Sequence, residues 1–390
     1  MHFNFDQPVS RENTHSVKYD LREKLFGRAD VIPMWVADMD FRVPPAVAEA
    51  IQQRAAHEIY GYSIRPDAFY ESAASWMETR HGWPIRREWM TFTPGIVPGV
   101  NLAIQALTEP GDKIMIQPPV YFPFFDAIKK NNRQLAENRL ILQDGRYFVD
   151  MEDFERHLQQ GVKMFILSNP HNPGGSVWTR QELKEMGNLC VQYGATIIAD
   201  EIHCDIVFEG YHYTPMASIS EDIADHTVTF IAPSKTFNIA GLATSLGIIS
   251  EQGMRERFNK MMDRLHIANG NIFGTVALEA AYNHGREWLD QLLDYLEGNI
   301  RLIEHYTREH LQGVELIKPE GTYLAWLDCR QLPVENEHIH RFMIEKAQVG
   351  FNDGASFGAN GRGFQRLNFA CPRQTLQKVL EHMEGAIRNI

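Results

Sequence analysis

Three short apolar runs constrain the fold most: residues 164–169 (Met-Phe-Ile-Leu-Ser-Asn), 195–199 (Ala-Thr-Ile-Ile-Ala) and 227–232 (Thr-Val-Thr-Phe-Ile-Ala). Each stops at polar or turn-forming residues, namely Asn169-Pro170, Asp200-Glu201 and Pro233-Ser234-Lys235. Apolar runs of this length without alternation suit strands covered on both faces, as in a parallel sheet. Between the first and second, Thr179 and Glu182 have capping-box spacing. Leu183, Met186, Leu189, Cys190 and Tyr193 then recur on one helical face until Gly194. No hairpin signal separates the strands. The pattern predicts an α/β fold with a mostly parallel sheet, whose ligands gather at the carboxyl ends of the strands.

Three chemically distinct residues fall at those ends. Asn172 lies in the turn Asn169-Pro170-His171-Asn172-Pro173-Gly174, Asp200 closes the second run, and Lys235 follows the third in Ser234-Lys235-Thr236-Phe237-Asn238. Taken singly, an Asn-Pro turn, a strand-end Asp and a loop Lys are common punctuation. Together at successive strand ends they match what pyridoxal phosphate needs: an amine to bond its aldehyde, a carboxylate to keep its ring nitrogen protonated, and an amide for its ring oxygen.

At 390 residues the chain exceeds the size at which one core usually stops growing, so two domains are expected. A net charge of −12 with no basic stripe argues against a nucleic-acid partner and leaves small metabolites as ligands. The polar Met1–Asp20 stretch lacks the apolar core of a secretion signal, and no long apolar run suggests a membrane span; a cytoplasmic location is the default expectation. Cys190, Cys204, Cys329 and Cys371 are scattered, which predicts free buried thiols rather than a disulfide framework or a zinc ribbon. There is no H-E-x-x-H motif, and His338 and His340 read as surface residues, so no metal is expected.

Upstream, Thr91-Phe92-Thr93-Pro94-Gly95 precedes a predicted helix over Ile96–Leu107 with Val100, Ala103, Ile104 and Leu107 on one face. Backbone N–H groups at such an entrance favour a phosphate, which places that group at Gly95, Ile96 and Val97. Tyr121, after the strand-like run 113–117, is a candidate to stack on the cofactor ring; a packed core tyrosine fits the local sequence equally well. From Trp288 the pattern changes to a long helix over 288–311, a strand over 322–327 and a helix over 338–347. A glycine-rich loop at 354–363, read as a mobile lid or a plain turn cluster, and a closing helix over 375–389 complete a smaller α+β domain.

The chain resembles, over essentially its whole length, the fold-type I pyridoxal phosphate enzymes, and within them the MalY/PatB family of carbon–sulfur β-lyases. The resemblance rests on Met34-Trp35-Val36-Ala37-Asp38-Met39-Asp40-Phe41, Gly61-Tyr62, Ser168 to Pro173, Asp200-Glu201-Ile202-His203, Ser234 to Asn238, and Arg366-Leu367-Asn368 with Cys371. It implies an aspartate aminotransferase-like architecture: a segment 1–45 joining the small domain, a large cofactor-binding domain over 46–287 and a small domain over 288–390. It implies pyridoxal 5′-phosphate as cofactor, an L-amino acid as substrate and a homodimer with shared sites.

Residue by residue, the resemblance makes Lys235 the cofactor-bonding lysine and proton shuttle, Asp200 the partner of the ring nitrogen and Asn172 the donor to the ring oxygen. Tyr121 would stack on the ring, while Gly95, Ile96, Val97 and Ser234 would hold the phosphate. Arg366 would clamp the substrate carboxylate, and Tyr62 would reach the neighbouring subunit's cofactor. Two positions depart from the wider aminotransferase pattern. Ala243 stands where many relatives carry a phosphate-binding arginine, so the compensating charge must come from elsewhere; His203 stands where many carry a tyrosine that bonds the ring oxygen, and a histidine there could approach the same oxygen or lie behind the residues that touch the cofactor. The expected activity is cleavage of cystathionine or related cysteine S-conjugates to thiol, pyruvate and ammonia. Transamination by the same lysine and aspartate, or a pyridoxal phosphate-binding regulator, remain alternatives.

Overall fold

The computed structural model describes residues 2–390. Its larger sheet has seven strands: β1 (Met90–Thr93), β2 (Lys113–Ile116), β3 (Gln134–Glu137), β4 (Val162–Ser168), β5 (Thr196–Asp200), β6 (Thr227–Ile231) and β7 (Ser245–Ile248). They lie in the order β1-β7-β6-β5-β4-β2-β3. Every pairing is parallel except the two made by β7. The three apolar runs are thus neighbouring parallel strands, as their lack of alternation predicts.

Successive side chains on these strands feed two different cores, because side chains alternate between the faces of a sheet. Met164, Ile166 and Ile198 join one apolar cluster with Val100, Ala103 and Ile104 of the Ile96–Leu107 helix. Phe165, Leu167, Ile197 and Ala199 join the other, with Leu183, Met186 and Cys190 of the Arg180–Tyr193 helix. That second helix opens on the expected capping box, Glu182 N–H donating to Thr179 Oγ1 at 3.2 Å and Thr179 N–H to Glu182 Oε2 at 2.7 Å. It ends at Gly194 with φ 67°. Leu189 and Tyr193 form its half-buried rim.

The smaller sheet is antiparallel, made of β8 (Glu315–Ile317), β9 (Leu324–Asp328), β10 (Asn352–Asp353) and β11 (Phe364–Asn368) in the order β8-β9-β11-β10. Helices Arg286–His310 and Arg373–Ile387 accompany it. Ile32–Pro33 pairs with Val349–Gly350. The strand expected at 322 starts instead at Leu324, since Thr322 has φ 69°, a left-handed conformation that interrupts the extended chain. The helix expected over 338–347 is shorter, Ile339–Glu345.

Of the two readings of residues 354–363, the turn cluster holds and the mobile lid does not: the stretch forms two 3₁₀ turns, Gly354–Phe357 and Ala359–Gly361. Phe357 is buried, its carbonyl accepts from Val120 N–H at 2.9 Å, and Asn360 Nδ2 donates to the Pro118 carbonyl at 2.9 Å. The glycines are there because two backbones cross: a Cβ on Gly354 would sit 2.1 Å from the Gly361 carbonyl oxygen, and one on Gly361 2.2 Å from that of Gly354. His340, expected at the surface, is instead half-buried, with Nδ1 3.0 Å from Gln365 Oε1. His338 is exposed, and all four cysteines are free and buried. Among the described residues no helix is long and apolar enough to cross a membrane.

Candidate active site

Ser168, Asp200 and Phe230 lie side by side across β4, β5 and β6, so the residues that follow these strands emerge at one edge of the sheet. There they enclose a hollow of about 270 Å³ bordered by Asn172, Asp200, His203, Ser234 and Lys235, with Gly95, Ile96, Val97 and Tyr121 opposite. A larger surface hollow of about 880 Å³ lies beside Tyr19 and His382, but Asn172, Asp200 and Lys235 do not border it. Tyr62 does not reach the hollow of its own chain; its side chain is fully exposed.

Burial governs the charges. It pushes the Asp200 carboxyl up to about 7, against the opposing pull of the Ile202 N–H, which donates to Oδ1 at 3.2 Å, and of Lys235. A cationic ring nitrogen placed against Asp200 would restore its full ionisation. Burial likewise pushes Lys235 down to about 8; Asp38 and Asp200 oppose this and Arg366 adds to it. The Lys235 side chain is half-buried and borders the hollow, so its amine is both easier to deprotonate and within reach of a ligand. Its Nζ donates to the Ala37 carbonyl at 2.5 Å, and Tyr323 Oη donates to the same oxygen at 3.0 Å. Because only the neutral amine attacks an aldehyde, capture of pyridoxal phosphate by cofactor-free protein should accelerate as pH rises and level off with a midpoint near 8. Stopped-flow absorbance at several pH values measures this; a midpoint near the 10.5 of an ordinary lysine would contradict it.

Arg366, on β11, is buried and donates from Nη1 to Asn172 Oδ1 at 2.9 Å, and from Nη2 to the Trp35 carbonyl at 2.9 Å and to Asn352 Oδ1 at 2.6 Å. Its guanidinium lies over the Phe357 ring, 4.9 Å from the centroid. Burial lowers it to about 10, with Tyr121 and Tyr323 opposing, so it stays charged at neutral pH. Burial and the nearby Lys235 and Arg366 cations hold His203 well below its usual range, as a neutral imidazole. Burial raises the Tyr121 phenol, and Asp200 adds to the effect.

At the opposite end Gly95 has φ 129° and ψ 160°, a conformation open to glycine, and hands the chain into the Ile96–Leu107 helix. Gly95 borders the hollow, and its N–H donates to Ser245 Oγ at 3.1 Å. Ser245 stands opposite Thr93 because β7 runs antiparallel to β1. The first-turn amides of Ile96 and Val97 have no intrahelical partner and provide the helix-end donors. Ala243, with φ 45°, brings no charge, and Lys235 is the single cation bordering the hollow.

These groups fit pyridoxal 5′-phosphate. Among the described residues, His203 Nδ1 and Arg366 Nε are buried polar atoms with no partner, and buried polar atoms ordinarily have one. A helix entrance, an acid and an amine line one small hollow. The trio His81, Cys204 and Asp205 has the proximity of a metal site. Its carboxylate, however, is already engaged by His81 Nε2 at 2.7 Å, Trp76 Nε1 at 2.9 Å and Thr236 Oγ1 at 2.7 Å. It serves as the anchor of the lysine-bearing turn. Sequence reasoning missed the Ala37 carbonyl, Ser245 and the Tyr323 hydroxyl; the string Trp35 to Phe41 was visible, but a backbone oxygen carries no residue signature.

The model of the aminotransferase class I and II family matches residues 29–383. The chain is 43% identical to cystathionine beta-lyase PatB of Bacillus subtilis (strain 168), covering 98% of this chain and 100% of that protein. The crystal structure of cystalysin from Treponema denticola, which contains a pyridoxal 5′-phosphate cofactor, superposes with a TM-score of 0.97 at 36% identity and 100% coverage of both chains. The pyridoxal phosphate-bound C-S lyase from Staphylococcus hominis gives 0.93 at 33% identity, covering 99% of this chain and 98% of that one.

Proposed function

The chain belongs to the aminotransferase class I and II family, and we propose that it is a pyridoxal phosphate-dependent carbon–sulfur β-lyase. Its substrates are L-cystathionine or related S-substituted cysteines, which with water yield a thiol, pyruvate and ammonia. The observation that carries this reading is the full-length likeness to PatB in a chain whose Lys235 lies between a buried acid and a buried arginine.

Bound pyridoxal phosphate supplies the electron sink that lets a proton leave the substrate Cα. Asp200 would keep the ring nitrogen protonated, Asn172 and His203 would serve the ring oxygen, and Tyr121 would cover the ring. The Ile96 and Val97 amides and Ser234 would hold the phosphate. Arg366 would receive the substrate α-carboxylate in a two-pronged bond, from the Nε that has no protein partner and from an Nη that gives up one of its present acceptors. Lys235 Nζ then takes the Cα proton. The Cβ–S bond breaks with its electron pair on sulfur, and the Lys235 ammonium returns a proton to that sulfur. An amine near pH 8 is matched to both transfers, because a catalytic group works best with its pKa near the operating pH.

Arg366→Lys keeps the charge but loses the fork, so KM for amino acids should rise about tenfold with a smaller drop in kcat. An unchanged KM would leave Arg366 without its role. Ile59, Tyr60, Tyr62 and Ile64 are all exposed on one segment, an apolar patch that suits a second copy of the chain. A homodimer in which Tyr62 reaches the partner's cofactor accounts for that exposure, and light scattering at a monomer mass would contradict it. Four unpaired thiols suit a reducing, cytoplasmic setting. The activity is tested by supplying L-cystathionine without any keto acid. Steady pyruvate and thiol release supports the lyase, whereas strict dependence on an added keto acid would make the protein an aminotransferase.

A further inference from the structure

We propose that Asn238 and Asn368 are positioning residues that hold Trp35–Phe41 as a single strap, and that this strap fixes Lys235 and Arg366 relative to one another. The proposal rests on the roles given above to Lys235 and Arg366.

Every carbonyl from Trp35 to Met39 accepts a side-chain hydrogen bond. The Trp35 oxygen takes Arg366 Nη2 at 2.9 Å, and those of Val36 and Asp38 each take Asn368 Nδ2 at 2.6 Å. The Ala37 oxygen takes Lys235 Nζ at 2.5 Å. The Met39 oxygen takes Asn238 Nδ2 at 3.0 Å, and that amide also donates to the Phe41 carbonyl at 2.8 Å.

The donors come in two pairs. Asn238 follows Lys235 by three residues in the lysine motif, and Asn368 follows Arg366 by two on β11. Each functional cation and its neighbouring asparagine therefore grip the same seven residues, one pair from the turn after β6 and the other from β11. The amide orientations are fixed by what the oxygens accept: Met39 N–H to Asn238 Oδ1 at 2.9 Å, and Ala370 N–H to Asn368 Oδ1 at 2.9 Å. Reversing either amide would set oxygen against carbonyl oxygen.

The strap is anchored beyond the hollow as well. Buried Lys18 meets Asp40 at 2.8 Å, and Arg11 bridges Asp38 at 2.6 Å and Asp40 at 2.8 Å. With both ends pinned and each intervening carbonyl engaged, a shift at one asparagine must travel along the strap. The oxygen that Lys235 uses lies between the two that Asn368 holds.

The consequence is a crossed effect. Asn368→Ala, a change beside Arg366 that removes the donor without adding charge, should displace the Ala37 carbonyl, weaken its bond to the Lys235 ammonium and so favour the neutral amine. The midpoint for cofactor capture by the cofactor-free protein should then fall by about one pH unit. Asn238→Asp, a change beside Lys235, should raise the dissociation constant of L-alanine, read from its perturbation of the visible band, by about tenfold through Arg366. The double variant should show little more than either single change, because coupled sites are not additive. Should Asn238→Asp prevent folding, Asn238→Gly, which suits the φ of 58° at that position, removes the donor without introducing charge; should Asn368→Ala do so, Asn368→Ser leaves a hydroxyl in place of the amide.

Effects confined to the nearer cation, or a double variant equal to the sum of the singles, would overturn the strap. Failure of the unaltered protein to bond the cofactor at Lys235 would instead overturn the active site itself, and the two failures are distinguishable.

Discussion

Lys235→Ala should yield a protein without the visible band of a lysine-bonded cofactor, with turnover lower by about 10³-fold or more. The loss is large because one amine performs three tasks: it bonds the cofactor, takes the Cα proton and returns a proton to sulfur. No second amine borders the hollow to replace it. The fold should survive, since Thr236 keeps the turn tied to Asp205 at 2.7 Å whatever stands at position 235. Absorbance and circular dichroism on the same sample separate loss of chemistry from loss of structure. A retained band would move the covalent bond to a different lysine.

Asp200→Ala should retain part of the cofactor and lose about 10²–10³-fold in kcat, the range expected when one aligned electrostatic partner of the reacting system is removed. On the proposed roles, binding would be supported by the helix-end amides, Ser234 and Asn172 without Asp200. Turnover does depend on it, because an unprotonated ring is a poor electron sink. Near-normal kcat in this variant would mean that ring protonation is secured elsewhere. Asp200→Asn is the sterically closer control, and it should fail similarly, since an amide cannot stabilise a protonated ring nitrogen as a carboxylate does.

The parts of this site that were legible in the sequence are those encoded locally. Continuous apolar runs announced β4, β5 and β6, and the polar residues that end them marked Asn172, Asp200 and Lys235. Thr179, Glu182 and Gly194 announced a helix by its caps. Arg366 carried no such local signal and emerged through resemblance alone. The main-chain contributions were hidden: nothing in the letter of Ala37 says that its carbonyl holds the lysine, and nothing in Gly95 says that Ser245 occupies its N–H. The glycine-rich stretch left a lid and a turn cluster both open, because composition alone does not say that Gly354 and Gly361 are small so that two backbones can touch.

Borohydride reduction of the cofactor-loaded protein, followed by proteolysis and mass spectrometry, locates the covalent bond directly. One pyridoxyl group per chain, on the peptide containing Lys235, is expected. Label on a different lysine, or none at all, would contradict the convergence of Asn172, Asp200 and Lys235 on a single cofactor.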